Sequence, residues 1–476
     1  MVIKNKKFSG GYRFKSFEGQ PEERLVEAEA PEKVTIPLRQ GFGNEVPPVV
    51  KVGDTVRAGQ IIGINNDSVS SPVHSTVNGV VEGISKINYF KQEVNAVTIK
   101  SDNTPDRQFL DGYTADWLKL PVEKIEELIY LSGAASLGKE GIPTRFKSSS
   151  ILPVDVKDVI IHGVGSEIYN PSLSVLLAGE GLLNFVEGLK ILKTILPGAR
   201  FHLALNKYHE TLIEKLAGLI MDLDGIDVYA LEPKYPQVYD GVLIPTLLAK
   251  GFPDGCSAAS IGVVVLDVQT VLQTHEAVTQ GKPLIEKIVT LCGAGFRENL
   301  HIKVRIGTSL EHITRARVLE NRELRFILDS PLTGSVLSDL SLPLDRTFLQ
   351  IISIPEERER EFLSFARPGY KKDSYSRAFV SSGVKSRKKC DTNLHGEERP
   401  CIFCNFCQDA CPAGIIPHLI HHHVKRDIVD EVILDLGIRR CIDCNLCSYV
   451  CPSKIPLAKS IRKGKEELVM QGFCRK

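Results

Sequence analysis

Apolar and polar positions alternate by different rules along this chain. From Val34 to Lys100 short apolar runs are cut by glycine turns, as in Lys51-Val-Gly-Asp-Thr-Val-Arg-Ala-Gly-Gln60, Ile61-Ile-Gly63 and Ser71-Pro-Val-His-Ser-Thr-Val-Asn-Gly79. Period-two alternation with glycine punctuation predicts an all-β module. From about Val154 to Leu231 the pattern turns to strands alternating with helices. Asp158–Ile161, Phe201–Leu205 and Ile226–Leu231 read as strands. Between them, Leu182, Val186, Leu189, Leu192 and Leu196 form a helical stripe stopped by Pro197-Gly198, and Tyr208–Leu223 reads as a second helix. A β-α-β-α-β order implies a parallel sheet covered by helices, and such sheets hold nucleotides or flavins at their strand ends. Leu284–Thr314 returns to strand-like alternation. Between the quartets described below, Pro417–Gly437 carries Leu419, Ile420, Ile428, Val432, Ile433 and Leu436 at helical spacing, which predicts a largely helical C-terminal unit.

These patterns predict an α/β multidomain chain. Residues 1–115 read as a barrel-sandwich hybrid, 116–280 as a Rossmann-like α/β domain, 281–355 as a small β-grasp module, 356–400 as a basic linker and 401–476 as an α-helical ferredoxin-like domain. The barrel halves are similar to those of lipoyl and biotinyl carriers, but the connecting tip Asn65–Ser70 has no lysine for a swinging arm. In the linker, Arg367–Lys389 holds eight Lys and Arg against the single acid Asp373, so it reads as a solvated loop or an arm for an acidic partner or anionic lipid.

Over the whole chain the net charge is +1 across 476 residues, without the one-signed field of a nucleic-acid binder. The strongest apolar run, Ile261–Leu266, is broken by Asp267 and Gln269, short of the roughly 18 residues of a membrane span. Met1–Phe17 is basic with no apolar core behind it, so the expectation is a cytoplasmic chain with reduced cysteines. Of twelve cysteines, eight fall in two quartets. Cys256, Cys292, Cys390 and Cys474 stand apart and read as ordinary thiols.

The quartets repeat at an offset of forty residues: Cys401-Ile-Phe-Cys404-Asn-Phe-Cys407-Gln-Asp-Ala-Cys411-Pro412 and Cys441-Ile-Asp-Cys444-Asn-Leu-Cys447-Ser-Tyr-Val-Cys451-Pro452. Three thiolates two residues apart can wrap one face of an iron–sulfur cube, while the fourth points away and serves the other cube. The spacing therefore assigns one [4Fe–4S] cluster to Cys401, Cys404, Cys407 and Cys451, and the other to Cys441, Cys444, Cys447 and Cys411. Zinc is the competing ion for paired C-x2-C spacing. Asn405 and Asn445 stand after the second cysteine, where a left-handed backbone is expected and asparagine tolerates one. His418, His421, His422 and His423 read as a polar helix face, since no three of them share a side with another ligand.

At this point the chain resembles a known family. "FSGGYRF", "IPLRQGFGN", "PPVVKVGDTVRAGQIIG", "SSPVHSTVNGVV" and the two quartets are similar to the C subunit of the Rnf complex. "EREREFLSFARPGYKKDSYSRAFVS" and "NPSLSVLLAGEGLLNFVEGLKIL" resemble the A subunit of the related Na+-translocating NADH:quinone reductase, Nqr, which lacks the paired clusters. The resemblance implies a peripheral electron-transfer subunit on the cytoplasmic side of the membrane. Its partners would be integral membrane subunits of a cation-translocating NADH oxidoreductase, with ferredoxin or quinone as the remote redox partner. It also implies that 281–355 is SLBB-like. The alternatives are an Nqr A-like quinone-reductase subunit without its own nucleotide site and a soluble iron–sulfur flavin reductase of the cobalamin-reductase kind, although such reductases begin directly with a flavin domain. Of the family's flavin and NADH loops, Gly138, Gly141, Pro143, Thr144, Glu167 and Tyr169 match. Lys139 and Glu140 stand where a flavin needs bare backbone, and Gly165 replaces an acid facing the nicotinamide nucleotide. Gly138, Gly141, Thr144 and Glu167 are therefore a degenerate FMN/NADH site, and binding of FMN and NADH by this chain is not expected.

Overall fold

The computed structural model describes residues 3–473 except 15, 42, 66–69, 91, 135–155, 252, 254–255, 321, 357–372, 374, 376–385 and 391–397. Five parallel strands form one sheet, in the spatial order Ile3–Lys4, Ile226–Leu231, Arg200–Asn206, Asp158–Gly163, Val263–Asp267. Alternate residues of each strand enter opposite cores. Val159, Ile161, Phe201, Leu203 and Val228 pack under the helices Gly181–Ile195, Glu210–Leu219 and Val268–Gln280. Ile160, Ala204 and Tyr229 pack against Leu243, Ile244 and Leu247 of the helix Asp240–Leu248 on the other face. Gly188 lets two of the covering helices touch: a Cβ there would lie 2.4 Å from the Val271 carbonyl oxygen.

The chain steps outward from Asp158–Gly163 through Arg200–Asn206 to Ile226–Leu231, then crosses to the other side for Val263–Asp267. The strand order reverses between Asp158–Gly163 and Val263–Asp267, and a crevice at the carboxyl ends of two such strands is where open α/β sheets place ligands. Here the carboxyl ends of these two strands lead into the loop Val164–Tyr169 and into Asp267, whose carboxylate caps the helix Val268–Gln280 by accepting from the Thr270 amide at 3.0 Å.

A second, six-stranded sheet runs Ser335–Leu337, Leu324–Leu328, Gln350–Pro355, Glu286–Cys292, Leu300–Arg305, Leu25–Glu27, with the central Gln350–Pro355 and Glu286–Cys292 parallel. The third sheet, Lys33–Pro37, Gln92–Ser101, Gly79–Tyr89, Thr55–Val56, closes with the pair Ile61–Gly63 and Val73–His74 over a valine- and isoleucine-rich core that includes Val34, Ile36, Val56, Ile62 and Val81. The strands of this barrel begin at Lys33. The residues before it are shared out differently from the expected 1–115 unit, because Ile3–Lys4 extends the parallel sheet and Leu25–Glu27 extends the six-stranded one.

A buried arginine joins three of these parts. Arg346 donates to Gln40 Oε1 at 3.2 Å, to the Ser71 hydroxyl, to the Pro72 carbonyl at 3.2 Å and to the Gly133 carbonyl at 2.9 Å. Helices are the regular elements of the C-terminal region among its described residues. Phe406–Asp409, Pro417–Lys425, Glu431–Asp435, Leu446–Tyr449 and Leu457–Met470 are linked by turns, and Asp427 in the left-handed region (φ +55°) separates the two helices read from Pro417–Gly437.

Described residues of the expected basic linker lie against the body, among them Asp373 and Ser386–Cys390. Asp373 accepts hydrogen bonds from Tyr12 at 2.7 Å and Tyr449 at 2.8 Å. Lys388 pairs with Phe17 in a parallel bridge, its amide donating to Ser16 and its carbonyl accepting from Glu18, and its side chain is fully buried. The reading of Lys388 as part of a solvated or docking arm is therefore corrected: its backbone completes a ladder that its charge follows into the core. The remaining cations of Arg367–Lys385 lie outside the described residues.

Candidate metal centre

Each quartet folds in the same way. Phe403 and Asp443 (φ +51° and +54°), Asn405 and Asn445 (+61° and +60°), and Gly414 and Lys454 (+62° and +58°) hold left-handed backbone at equivalent positions. The asparagines occupy the conformation expected of them. A single helical turn follows in each, Phe406–Asp409 or Leu446–Tyr449. The helical turn carries the third cysteine, not the fourth, which leaves it on the following turn.

The eight thiols divide across the repeat. Cys407 lies among Cys401, Cys404 and Cys451, and Cys451 in turn is influenced by Cys404 and Cys401. Cys411 joins the other group, where it acts on Cys441, Cys444 and Cys447. Cys447 also senses Cys407, so the two groups are neighbours. A cavity opens on Cys401, Cys404, Cys407 and Cys451, walled by Phe403 and His418.

Burial dominates the chemistry of these groups. It pushes Cys407 and Cys444 up to about 12 and Cys441 to about 11, with Cys447 and Cys451 also raised, and mutual repulsion among the sulfurs adds to each shift. Such thiols keep their protons at neutral pH unless cations sit among them, which is what iron supplies. Among the described residues no three His, Cys, Asp or Glu side chains gather around a single-ion position. Two neighbouring groups of four cysteines, each with its fourth member from the other repeat, are a donor set that fits two cubes.

The histidines are separated. The Nδ1 atom of His418 is 3.7 Å from the Cys407 sulfur, His421 Nδ1 meets the Ser460 hydroxyl at 2.8 Å, and the His422 ring stacks on Phe403 at 5.2 Å. Burial, then the neighbouring His422, lowers the pKa of His418. Cys256, Cys292 and Cys390 form no disulfide among the described residues, and Cys474 lies outside them.

Contacts not legible in the spacing seat the second group on the body. Tyr235, fully buried, donates to the Cys444 carbonyl at 2.6 Å, and the Asn445 side chain donates to the Leu332 carbonyl at 2.7 Å. The Gly11 amide donates to the Ala410 carbonyl at 2.7 Å. Beside it, Gly10 (φ +68°) leaves no room for a Cβ, which would be 2.6 Å from the Cys411 carbonyl oxygen. Two residues from Leu332, Ser330 donates to Glu167 Oε2 at 2.6 Å, so the crevice loop and the cysteine region share one connecting segment. Glu167 is thus placed at the crevice, and Tyr169 is buried with its hydroxyl on the Glu18 carbonyl at 2.5 Å. Gly138, Gly141 and Thr144 lie outside the described residues.

Comparison with known proteins adds the following. Residues 6–104 match the RnfC barrel sandwich hybrid domain, 129–276 the Nuo51 FMN-binding domain and 400–455 a 4Fe-4S dicluster domain. The chain is 26% identical to the C subunit of the proton-translocating ferredoxin:NAD(+) oxidoreductase complex of Clostridium ljungdahlii, over 85% of this chain and 81% of that one. It is 27% identical to the C subunit of the Na(+)-translocating ferredoxin:NAD(+) oxidoreductase complex of Acetobacterium woodii, over 99% of both. With the C subunit of the ion-translocating oxidoreductase complex of Serratia proteamaculans it shares 26% identity over 83% of this chain, and it spans about half (52%) of that longer protein. Among solved structures, an NAD+-reducing [NiFe]-hydrogenase in the air-oxidized state is similar at 14% identity and a TM-score of 0.46, over 78% of this chain and 64% of that one, a likeness too slight to carry argument.

Proposed function

This chain belongs to the RnfC family, the C subunits of Rnf complexes, and on that footing we propose that it is the peripheral iron–sulfur subunit of a membrane-bound, ion-translocating ferredoxin:NAD+ oxidoreductase complex. The observation that carries this reading is the crossed pair of cysteine groups, side by side and seated against the crevice of a flavin-type sheet. Iron–sulfur cubes, when bound, would each take up and release one electron. Cys401, Cys404, Cys407 and Cys451 would hold one, and Cys441, Cys444, Cys447 and Cys411 the other. The residues around them bury the thiolates, and Tyr235 and Asn445 fix the second group to the body.

Among the described residues no helix is long and apolar enough to cross a membrane. Attachment on the cytoplasmic side would therefore run through integral membrane subunits of the complex. The relatives' names carry ferredoxin and NAD(+), which favours ferredoxin over quinone as the remote redox partner. We also read the six-stranded unit as a β-grasp. A parallel central pair flanked by antiparallel neighbours, with the helix Leu310–Thr314 between the strands Leu300–Arg305 and Leu324–Leu328, supports that reading.

Anaerobic purification of the full chain should yield about eight iron and eight acid-labile sulfides, from two cubes of four irons each. Cys401→Ser should perturb one cluster's paramagnetic resonance signal. Cys411→Ser should perturb the signal that Cys441→Ser also perturbs. If Cys411→Ser and Cys401→Ser affected the same cluster, the crossed assignment would be wrong.

A further inference from the structure

The repeat supplies its own internal control. At an offset of forty residues, His418 in the first half corresponds to Ala458 in the second, and each lies in the first turn of the helix after its quartet. Both are buried, at 7% and 4% exposure. The first half places a ring nitrogen at a ligand sulfur, His418 Nδ1 being 3.7 Å from Cys407 Sγ, within the longer reach of a sulfur acceptor and T-shaped against Phe403; in the second half the polar atom at a ligand sulfur is the carboxylate oxygen of Asp443, 4.0 Å from Cys441 Sγ, which cannot donate.

We propose that His418 is a positioning residue that donates its Nδ1–H to the Cys407 thiolate and so raises the reduction potential of the cluster in the first group. This inference rests on the iron–sulfur reading above. Once Cys407 ligates iron its sulfur has no proton to give, so the ring nitrogen is the donor. Reduction adds one electron and one negative charge to the cluster and its thiolates. A fixed N–H dipole at a sulfur stabilises that extra charge more than it stabilises the oxidised state, and the potential rises. Ala458 offers nothing comparable.

The second group has a charge of its own nearby, and it is offset. Lys465 donates to the Cys441 carbonyl at 2.6 Å but is paired at 2.6 Å with Asp443. The corresponding Lys425 is exposed and turned to Glu398 at 3.8 Å. At the ligand sulfurs the groups therefore differ in kind: an imidazole donor faces Cys407, and a lysine-paired carboxylate faces Cys441. The two potentials should be split, with the first group, which opens on a cavity, the more readily reduced.

The test is redox potentiometry of the full iron-loaded chain, followed by electron paramagnetic resonance. In His418→Ala the one-electron equilibrium of a single cluster should move about tenfold toward oxidation, about 59 mV by the one-electron constant, while the other stays fixed. The same shift should persist in a Cys411→Ser background, where the second cluster is compromised. His418→Gln, which restores a side-chain donor, should recover at least half of it. The His418 backbone N–H, which also favours the Cys407 thiolate, is retained in every variant, so the shift reports the ring alone. Unchanged potentials, equal movement of both clusters, or no recovery in His418→Gln would each overturn the assignment. If His418→Ala cannot hold its iron, His418→Leu, which fills the space without a donor, carries the same comparison. Absence of clusters from the wild-type chain would instead remove the reading beneath it.

Discussion

His74 sits in the strand Val73–His74 with 3% exposure, its ring against Gly133 and close to the Arg346 guanidinium. Burial, with Arg346 second, drives its pKa from the ordinary 6.5 down to about 3. The folded state holds this ring neutral while the unfolded chain protonates it below pH 6.5. Its contribution to stability is therefore complete above that pH and is lost as pH falls from 6.5 toward 3, at about 1.4 kcal/mol per unit within that window. His275, His301, His418 and His421 are lowered as well, so His74 accounts for part of the acid limb. Urea unfolding at pH 7 and pH 5 should show a smaller acid loss in His74→Leu than in the native chain. An identical loss in both would mean that the ring is solvated in the native state. At this scale the sequence was legible where residue types repeat, as with the cysteines and the paired asparagines. It was silent on Tyr12, Asp373 and Tyr449, which meet only because segments 361 and 76 residues apart are brought together.

Among the elements, local periodicity identified the strands Asp158–Gly163, Arg200–Asn206 and Ile226–Leu231 and the helix Gly181–Ile195, because each buries a continuous stripe. The short pieces were not legible. Ile3–Lys4 and Leu25–Glu27 have no periodicity of their own and exist as strands through partners more than 200 residues away. The segment Ser386–Cys390 is of the same kind: its sequence is that of a basic arm, yet its backbone pairs with Ser16–Glu18 and Lys388 is buried. Lys388→Glu should place a carboxylate where the core has accommodated an ammonium and destabilise the fold by roughly 3–5 kcal/mol, the range for an uncompensated buried charge. Arg387→Glu, at an exposed neighbour, should change stability by less than about 0.5 kcal/mol. Equal midpoints for the two variants in thermal unfolding would return the segment to the role of a linker. A change in salt-dependent membrane association with Arg387→Glu alone would support docking by the surrounding cations.

For the molecule as a whole, the question is where electrons enter. The crevice at the strand reversal and the second cysteine group share the segment from Ser330 to Leu332, which holds Glu167 at one end and Asn445 at the other. That continuity, with the match of 129–276 to an FMN-binding domain, would suit a flavin that passes electrons to a cluster. The residues argue for a weaker nucleotide site than the architecture suggests. At Gly165 (φ +64°) the space beside the backbone is open, its nearest neighbour to an added Cβ being Asn170 at 3.7 Å, so no side chain supplies the acid that would face the nucleotide. In sequence, Lys139 and Glu140, which lie outside the described residues, stand where the resemblance implies a glycine-rich phosphate loop. We therefore expect the purified, iron-loaded chain to bind NADH weakly, and its cluster absorbance to persist through an anaerobic NADH titration until a partner subunit is added. Gly165→Glu should not create rapid reduction by itself, because the Lys139 and Glu140 side chains remain. Rapid bleaching of the native chain alone, with FMN present at one per chain, would place NADH oxidation in this subunit and make the crevice its entry point.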